Sequence, residues 1–145
     1  MYVFTDGSMK SGKGGCGCII YLHDNVIKTN RSVSSPMPPN QIEYEALWFA
    51  VMKLKELNVT GKKALFFTDN QSLADQLSGR AKCKGNRVGV YLVNILCTLH
   101  DLNIDAVFNY TPRCRNKEAH ILANKARIEL HDDFSYPQLW NSNYQ

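Results

Sequence analysis

The spacing of apolar residues changes once along the chain, and that change limits the folds open to it. Up to Val33 they fall in short β-rich runs; beyond Asn40 they recur at helical spacing, with two further strand-like runs between. Residues 2–5 read as a strand, Cys16 to Leu22 as a second and Val26 to Val33 as a third. The polar glycine-rich run Ser8 to Gly15 and the turn His23-Asp24-Asn25 join them into an antiparallel meander, which cannot stand alone. Ser34 to Asn40 carries three prolines and breaks the pattern. Ile42, Ala46, Phe49, Ala50, Leu54 and Leu57 then place a helix from about Gln41 to Asn58. Ala64 to Thr68 reads as a buried strand, Asn70 to Leu77 as a short helix, Val88 to Leu99 as another, and Ile104 to Tyr110 as a fifth strand. A last helix covers Lys117 to Leu130, with Ala119, Ala123, Ala126 and Leu130 on its buried stripe.

A meander followed by alternating strands and helices predicts an α/β fold. Its mixed five-stranded sheet would combine a three-strand antiparallel meander with two parallel strands and carry helices on both faces. Residues 1–130 are expected to form one domain. Residues 131–145, with Phe134, Tyr136, Trp140 and Tyr144, form a C-terminal tail.

A chain of 145 residues can bury a sizeable core, and 44% hydrophobic with 21% charged residues argues against wholesale disorder. No stretch approaches a membrane span, and no signal-peptide pattern follows Met1, so a cytoplasmic location, without a membrane, is expected. The five cysteines are odd in number and scattered, without zinc-ligand spacing; buried reduced thiols are the expectation. A net charge of +4 permits a polyanionic partner without requiring one. A monomer is expected.

Three acids then stand out. Asp6 precedes Gly7, a hairpin-turn dipeptide, yet SMKSGKGG does not return directly into an alternating strand. Asp6 is therefore expected where a strand opens into a loop, with its carboxylate exposed. Asn40 and Glu43 have capping-box spacing, but the same position aims the Glu43 carboxylate at the sheet. Asp69 suits a helix N-cap and also follows a buried strand at its carboxyl end, where open α/β sheets place ligands. If the first and fourth strands are adjacent and parallel, the three carboxylates converge and cannot all stay ionised without a cation. Hard oxygen donors point to magnesium or manganese.

These residues carry a resemblance. Phe4-Thr5-Asp6-Gly7-Ser8, Gly14-Gly15-Cys16-Gly17, Asn40 to Leu47, Phe67-Thr68-Asp69-Asn70-Gln71, and Pro112-Arg113 through Asn116 to Asn124 follow one another as in type 1 ribonuclease H, which the chain resembles from about Tyr2 to Leu130. The resemblance implies a ribonuclease H-like fold and an endonuclease cutting the RNA strand of RNA–DNA hybrids with two divalent ions, Mg2+ or Mn2+. The resemblance also implies cleavage that leaves a 5′-phosphomonoester. The family's first three acids fall on Asp6, Glu43 and Asp69, and its substrate-contacting amides on Asn40 and Gln71.

The chain departs from the family at the fourth acid, where His120 stands, off the alanine stripe and on one helix face with Asn116 and Asn124. Either the site is broken or a neutral imidazole takes the acid's place as a fourth catalytic and metal-binding residue. Ligation by His120 implies weaker magnesium binding and a preference for manganese. The turn before the last helix offers Arg113 and Arg115 as phosphate contacts in place of a histidine. The basic loop 79–87 offers Arg80, Lys82, Lys84 and Arg87. The competing expectation is a catalytically impaired module that binds hybrids without cutting them.

Overall fold

The computed structural model describes residues 1–33, 37–83 and 85–129. Its strands are β1 (Tyr2–Lys10), β2 (Lys13–Leu22), β3 (Asn25–Val33), β4 (Lys63–Thr68) and β5 (Asp105–Tyr110). Its helices are α1 (Ile42–Glu56), α2 (Gln71–Leu77), α3 (Asn86–Asp101) and α4 (Lys117–Glu129). The sheet order is β3-β2-β1-β4-β5, antiparallel through the first three and parallel through the last three. This is the mixed five-stranded sheet expected, with the first and fourth strands adjacent and parallel. The expected tail and Leu130 lie outside the described residues.

One expectation fails in an informative way. The run read as a loop from Ser8 is strand: β1 continues to Lys10, and β2 begins at Lys13. A two-residue turn at Ser11-Gly12, both at positive φ, joins them as tight hairpins require. Asp6 therefore sits in the middle of β1, opposite Gly17, rather than at its end. Its side chain is fully buried, not exposed.

The two faces of the sheet follow from strand alternation. Val3, Thr5 and Gly7 of β1 pair with Ile20, Cys18 and Cys16 of β2 and face α1, where Phe49, Ala50, Val51, Leu54 and Phe66 form the core. The alternate residues face α4. A Cβ on Gly15 would meet the Ala123 carbonyl oxygen at 2.2 Å, and one on Gly17 the Ala119 carbonyl oxygen at 2.3 Å. These glycines let a helix backbone lie directly on the strand. Ala119, Ala123 and Ala126 are the buried residues of α4, as the alanine stripe predicted. Of the cysteines, Cys16 and Cys18 are buried, but Cys83, Cys97 and Cys114 are exposed, contrary to expectation. Among the described residues, no helix is long and apolar enough to cross a membrane.

Candidate active site

The two faces meet at Asp6. Its position in β1 turns its side chain toward α4, while Gly7 beside it lies against the first turn of α1. A Cβ on Gly7 would come within 2.6 Å of the Ile42 carbonyl oxygen, so the start of α1 sits directly on β1. Gly7 N–H donates to Glu43 Oε2 at 3.2 Å. Glu43 is thus turned into the site, and α1 is entered through Gln41 without a side-chain cap. The capping-box alternative for Asn40 and Glu43 is not realised. The helix-cap alternative for Asp69 fails as well: Asn70 is the N-cap of α2, accepting from Leu73 N–H at 3.0 Å. Asp69 is left at the carboxyl end of β4, where Arg113 Nε reaches its Oδ2 at 3.3 Å.

Oxygens of Asp6, Glu43 and Asp69 lie within 4.8 Å of one another. Burial first, then the charge of Asp69, pushes the Asp6 carboxyl above its ordinary range, against the pull of His120. Burial, followed by Asp6 and Asp69, holds Glu43 well above its ordinary range too. Asp6 Oδ1 is buried and has no hydrogen-bond partner. A buried carboxylate oxygen without a donor, in a cluster that repels itself, fits a divalent cation with hard oxygen ligands.

His120 reaches the same acid from α4. Its Nδ1 lies 2.6 Å from Asp6 Oδ2, and its Nε2 lies 3.0 Å from Asn124 Nδ2. The contacts beyond fix the roles. Arg127 Nε–H donates to Ser8 Oγ at 2.8 Å, and Ser8 O–H donates to Asn124 Oδ1 at 2.6 Å. That leaves the Asn124 amide N–H to donate to Nε2, so His120 carries its proton on Nδ1 and gives it to Asp6. Both ring nitrogens are engaged, and His120 would have to give up one contact to bind a metal. Asn116, at the start of α4, donates to the Thr5 carbonyl at 2.9 Å and anchors that helix end beside Asp6.

The remaining sequence candidates divide. Asn40 and Gln71 are exposed and line neighbouring parts of a surface cleft, and Gln71 Nε2 donates to Asp75 Oδ1 at 2.9 Å. One part of that cleft is lined by Glu43, Asp69, Gln71 and Arg113, the next by Asn40, Tyr44 and Gln76; Asn70 and Ser72 belong to both. Arg80 pairs with Asp75 at 3.1 Å, Lys82 is exposed, and Lys84 lies outside the described residues. Sequence reasoning missed Asn70, Ser72 and the Tyr44 hydroxyl, which donates to Gln76 Oε1 at 2.8 Å. It also missed Ser8 and Arg127. The spacing of Asn124 from His120 was the signal available for that network.

A family model described as reverse transcriptase-like matches residues 4–126. Among solved structures, LC11-RNase H1, isolated from compost by a metagenomic approach and solved in complex with an RNA/DNA hybrid, is 21% identical. The match covers 89% of this chain and 97% of that one, with a TM-score of 0.81. RNase H1 of the halophilic archaeon Halobacterium salinarum is 20% identical, covering 86% and 95% of the two chains with a TM-score of 0.76. The N-terminal RNase H domain of a Mycobacterium tuberculosis protein is 24% identical, with 87% and 93% covered and a TM-score of 0.74. No curated protein sequence matches. With the mixed sheet, the glycine-seated α4 and the buried acid at their junction, the chain belongs to the reverse transcriptase-like family and has the fold of type 1 ribonuclease H.

Proposed function

We propose that the chain is an endoribonuclease that hydrolyses the RNA strand of RNA–DNA hybrids. The observation that carries this reading is the donorless, buried Asp6 Oδ1 among three converging carboxylates, on the fold of enzymes one of which is solved with such a hybrid. Asp6, Glu43 and Asp69 would hold two divalent ions. Those ions would supply an acidified water for in-line attack and neutralise charge at the leaving 3′ oxygen.

The chain's own residues do the rest. Gly7 N–H orients Glu43, and His120 Nδ1–H orients Asp6 from the opposite side. Asn40 and Gln71 line the cleft where 2′-hydroxyls and minor-groove edges would lie, and Arg80, Lys82, Lys84 and Arg113 would meet phosphates. His120 stands as the fourth catalytic group. Where it trades its Asn124 contact for a metal, the softer neutral donor favours manganese over magnesium. The chain acts as a monomer in the cytoplasm.

Cleavage of an end-labelled hybrid in each metal tests this. Manganese should support faster cleavage than magnesium, and His120→Asp should narrow the gap. Magnesium activity equal to that of His120→Asp would overturn the metal preference. The engagement of both His120 nitrogens favours one other reading, a hybrid-binding module with an impaired site. That module would shift hybrid in a gel and cut it in neither metal.

A further inference from the structure

The part of the cleft away from the carboxylates has a different chemistry from the part beside them. Asn40, Gln41, Tyr44, Ser72 and Gln76 line it together with Val88, and no lining residue is charged. Two of its groups have fixed roles. Tyr44 of α1 gives its hydroxyl proton to Gln76 Oε1 of α2 at 2.8 Å. Toward a ligand, Tyr44 Oη is then an acceptor, and Gln76 Nε2 is a donor beside it. A third group lacks a partner: Gln41 Oε1 is buried and accepts no hydrogen bond among the described residues. A buried acceptor without a donor carries a penalty that a ligand bringing a donor removes. Tyr44 is also held from behind, its ring 6.0 Å from that of Tyr91, whose hydroxyl donates to Glu45 Oε2.

Two acceptors beside one donor select among the groups that a nucleic-acid groove can offer. In the minor groove, A·T pairs present acceptors alone, and the donor that a base carries there is the N2 amine of guanine, next to its acceptor N3. A 2′-hydroxyl donates as well, but it sits between backbone phosphates, and this part of the cleft has no cation in its lining to meet them.

We infer that this part of the cleft reads guanine through the minor groove, with Tyr44 Oη and Gln41 Oε1 accepting from the N2 amine and Gln76 Nε2 donating to N3. The inference rests on the hybrid-cutting reading above and adds to it a base preference. Tyr44 follows Glu43 directly in α1, so the base pair read lies at a fixed distance from the cut. At other positions cutting stays tolerant of sequence, because the groups there act on backbone atoms.

Hypoxanthine is guanine without the N2 amine, and 2,6-diaminopurine is adenine with it. Hybrids that differ by one such exchange, moved step by step along either strand, are read for cut position in manganese and for affinity in calcium. At one register, hypoxanthine in place of guanine should lower both by about fivefold or more, the low end of what a two-bond base contact discriminates. In the same place, 2,6-diaminopurine should outperform adenine by a similar factor. Tyr44→Phe, and independently Gln76→Met, should bring the guanine-to-hypoxanthine ratio close to one. The ratio is taken within one variant, so a loss of folded protein does not move it, and the affinity ratio decides even where no cut is made. Ratios near one at every position of the parent chain would overturn the inference and leave hybrid cleavage standing. A preference that survives both substitutions would belong to other residues and overturn it too. A chain that neither binds nor cuts any hybrid would overturn the cleavage reading and this inference with it.

Discussion

Burial first, and the charge of the neighbouring acids second, raises the folded-state pKa values of Asp6 and Glu43. The metal-free folded chain therefore keeps protons that the unfolded chain has already released. Its stability from these groups is fully present below the ordinary carboxylate range and is lost as pH rises through the raised folded values. Glu43→Gln removes a buried ionisable group. In chelator near neutral pH, where the unfolded chain has released the proton that folded Glu43 keeps, it should unfold at a higher temperature than the parent chain. The same substitution should abolish hybrid cleavage. Thermal scans over a pH series check both the sign and the flatter pH dependence expected of the variant. Asn124 offers a second test, because it touches no other acid of the cluster and acts through His120. Asn124→Ala frees Nε2, the nitrogen a metal would claim, and unlocks the tautomer, so cleavage should reach half of its plateau at a severalfold lower manganese concentration than in the parent chain. Titrating manganese against cleavage rate checks this: an unchanged or higher metal requirement would show that Asn124 holds His120 in place rather than competing with the metal for it.

At the scale of elements, the site depends on how closely helices lie on strands. Gly17 takes the α4 backbone at a distance no side chain allows, so Gly17→Ala must push α4 outward and carry His120 from Asp6. Overpacking of this kind costs about 1 to 3 kcal/mol, and loss of activity should exceed what that destabilisation explains. Gly12→Ala is the control. Nothing lies within 4 Å of a Cβ there, and only its positive φ opposes the change, so stability should fall by about 1 kcal/mol with activity intact. Comparing kcat for both variants at a temperature where each is folded distinguishes the two effects. This dependence on close approach also explains what the sequence could and could not disclose. Periodicity places Cys16–Leu22 and α1 because their apolar residues report burial directly. It does not show that Asp6, Gly7 and Ser8 continue β1, because those residues are poor strand formers by themselves and are held there by nine paired positions of β2. Asn70 rather than Asp69 caps α2 for a similar reason: both types cap well, and only the end of β4 decides which one begins the helix. The three acids were legible one at a time, as residues in the right order. The Arg127–Ser8–Asn124 support behind His120 joins residues more than a hundred positions apart, which no local pattern encodes.

For the whole molecule, the distribution of charge sets how a hybrid would be held. The chain carries a net charge of +4, yet Arg80 is paired with Asp75 and Arg113 with Asp69, so these cations are partly spent on neighbouring acids. Arg113 has the larger part to play. Its partner belongs to the carboxylate cluster, so a divalent cation taken up by Asp69 would weaken the pair and free the guanidinium for phosphate. Hybrid binding should accordingly tighten with metal by more than the neutralisation of the acids alone provides, and Arg113→Ala should remove the excess. The salt dependence reports it: taking away one cation that neutralises a phosphate lowers the slope of log affinity against log salt by about 0.9 on a duplex. Arg113→Ala should reduce that slope by about one unit with metal present, and by much less in chelator, where Asp69 still holds the arginine. Calcium serves as the probe where manganese would allow turnover. Equal slopes for parent and variant in both conditions would show that Arg113 stays with Asp69 throughout and leaves phosphate to other groups.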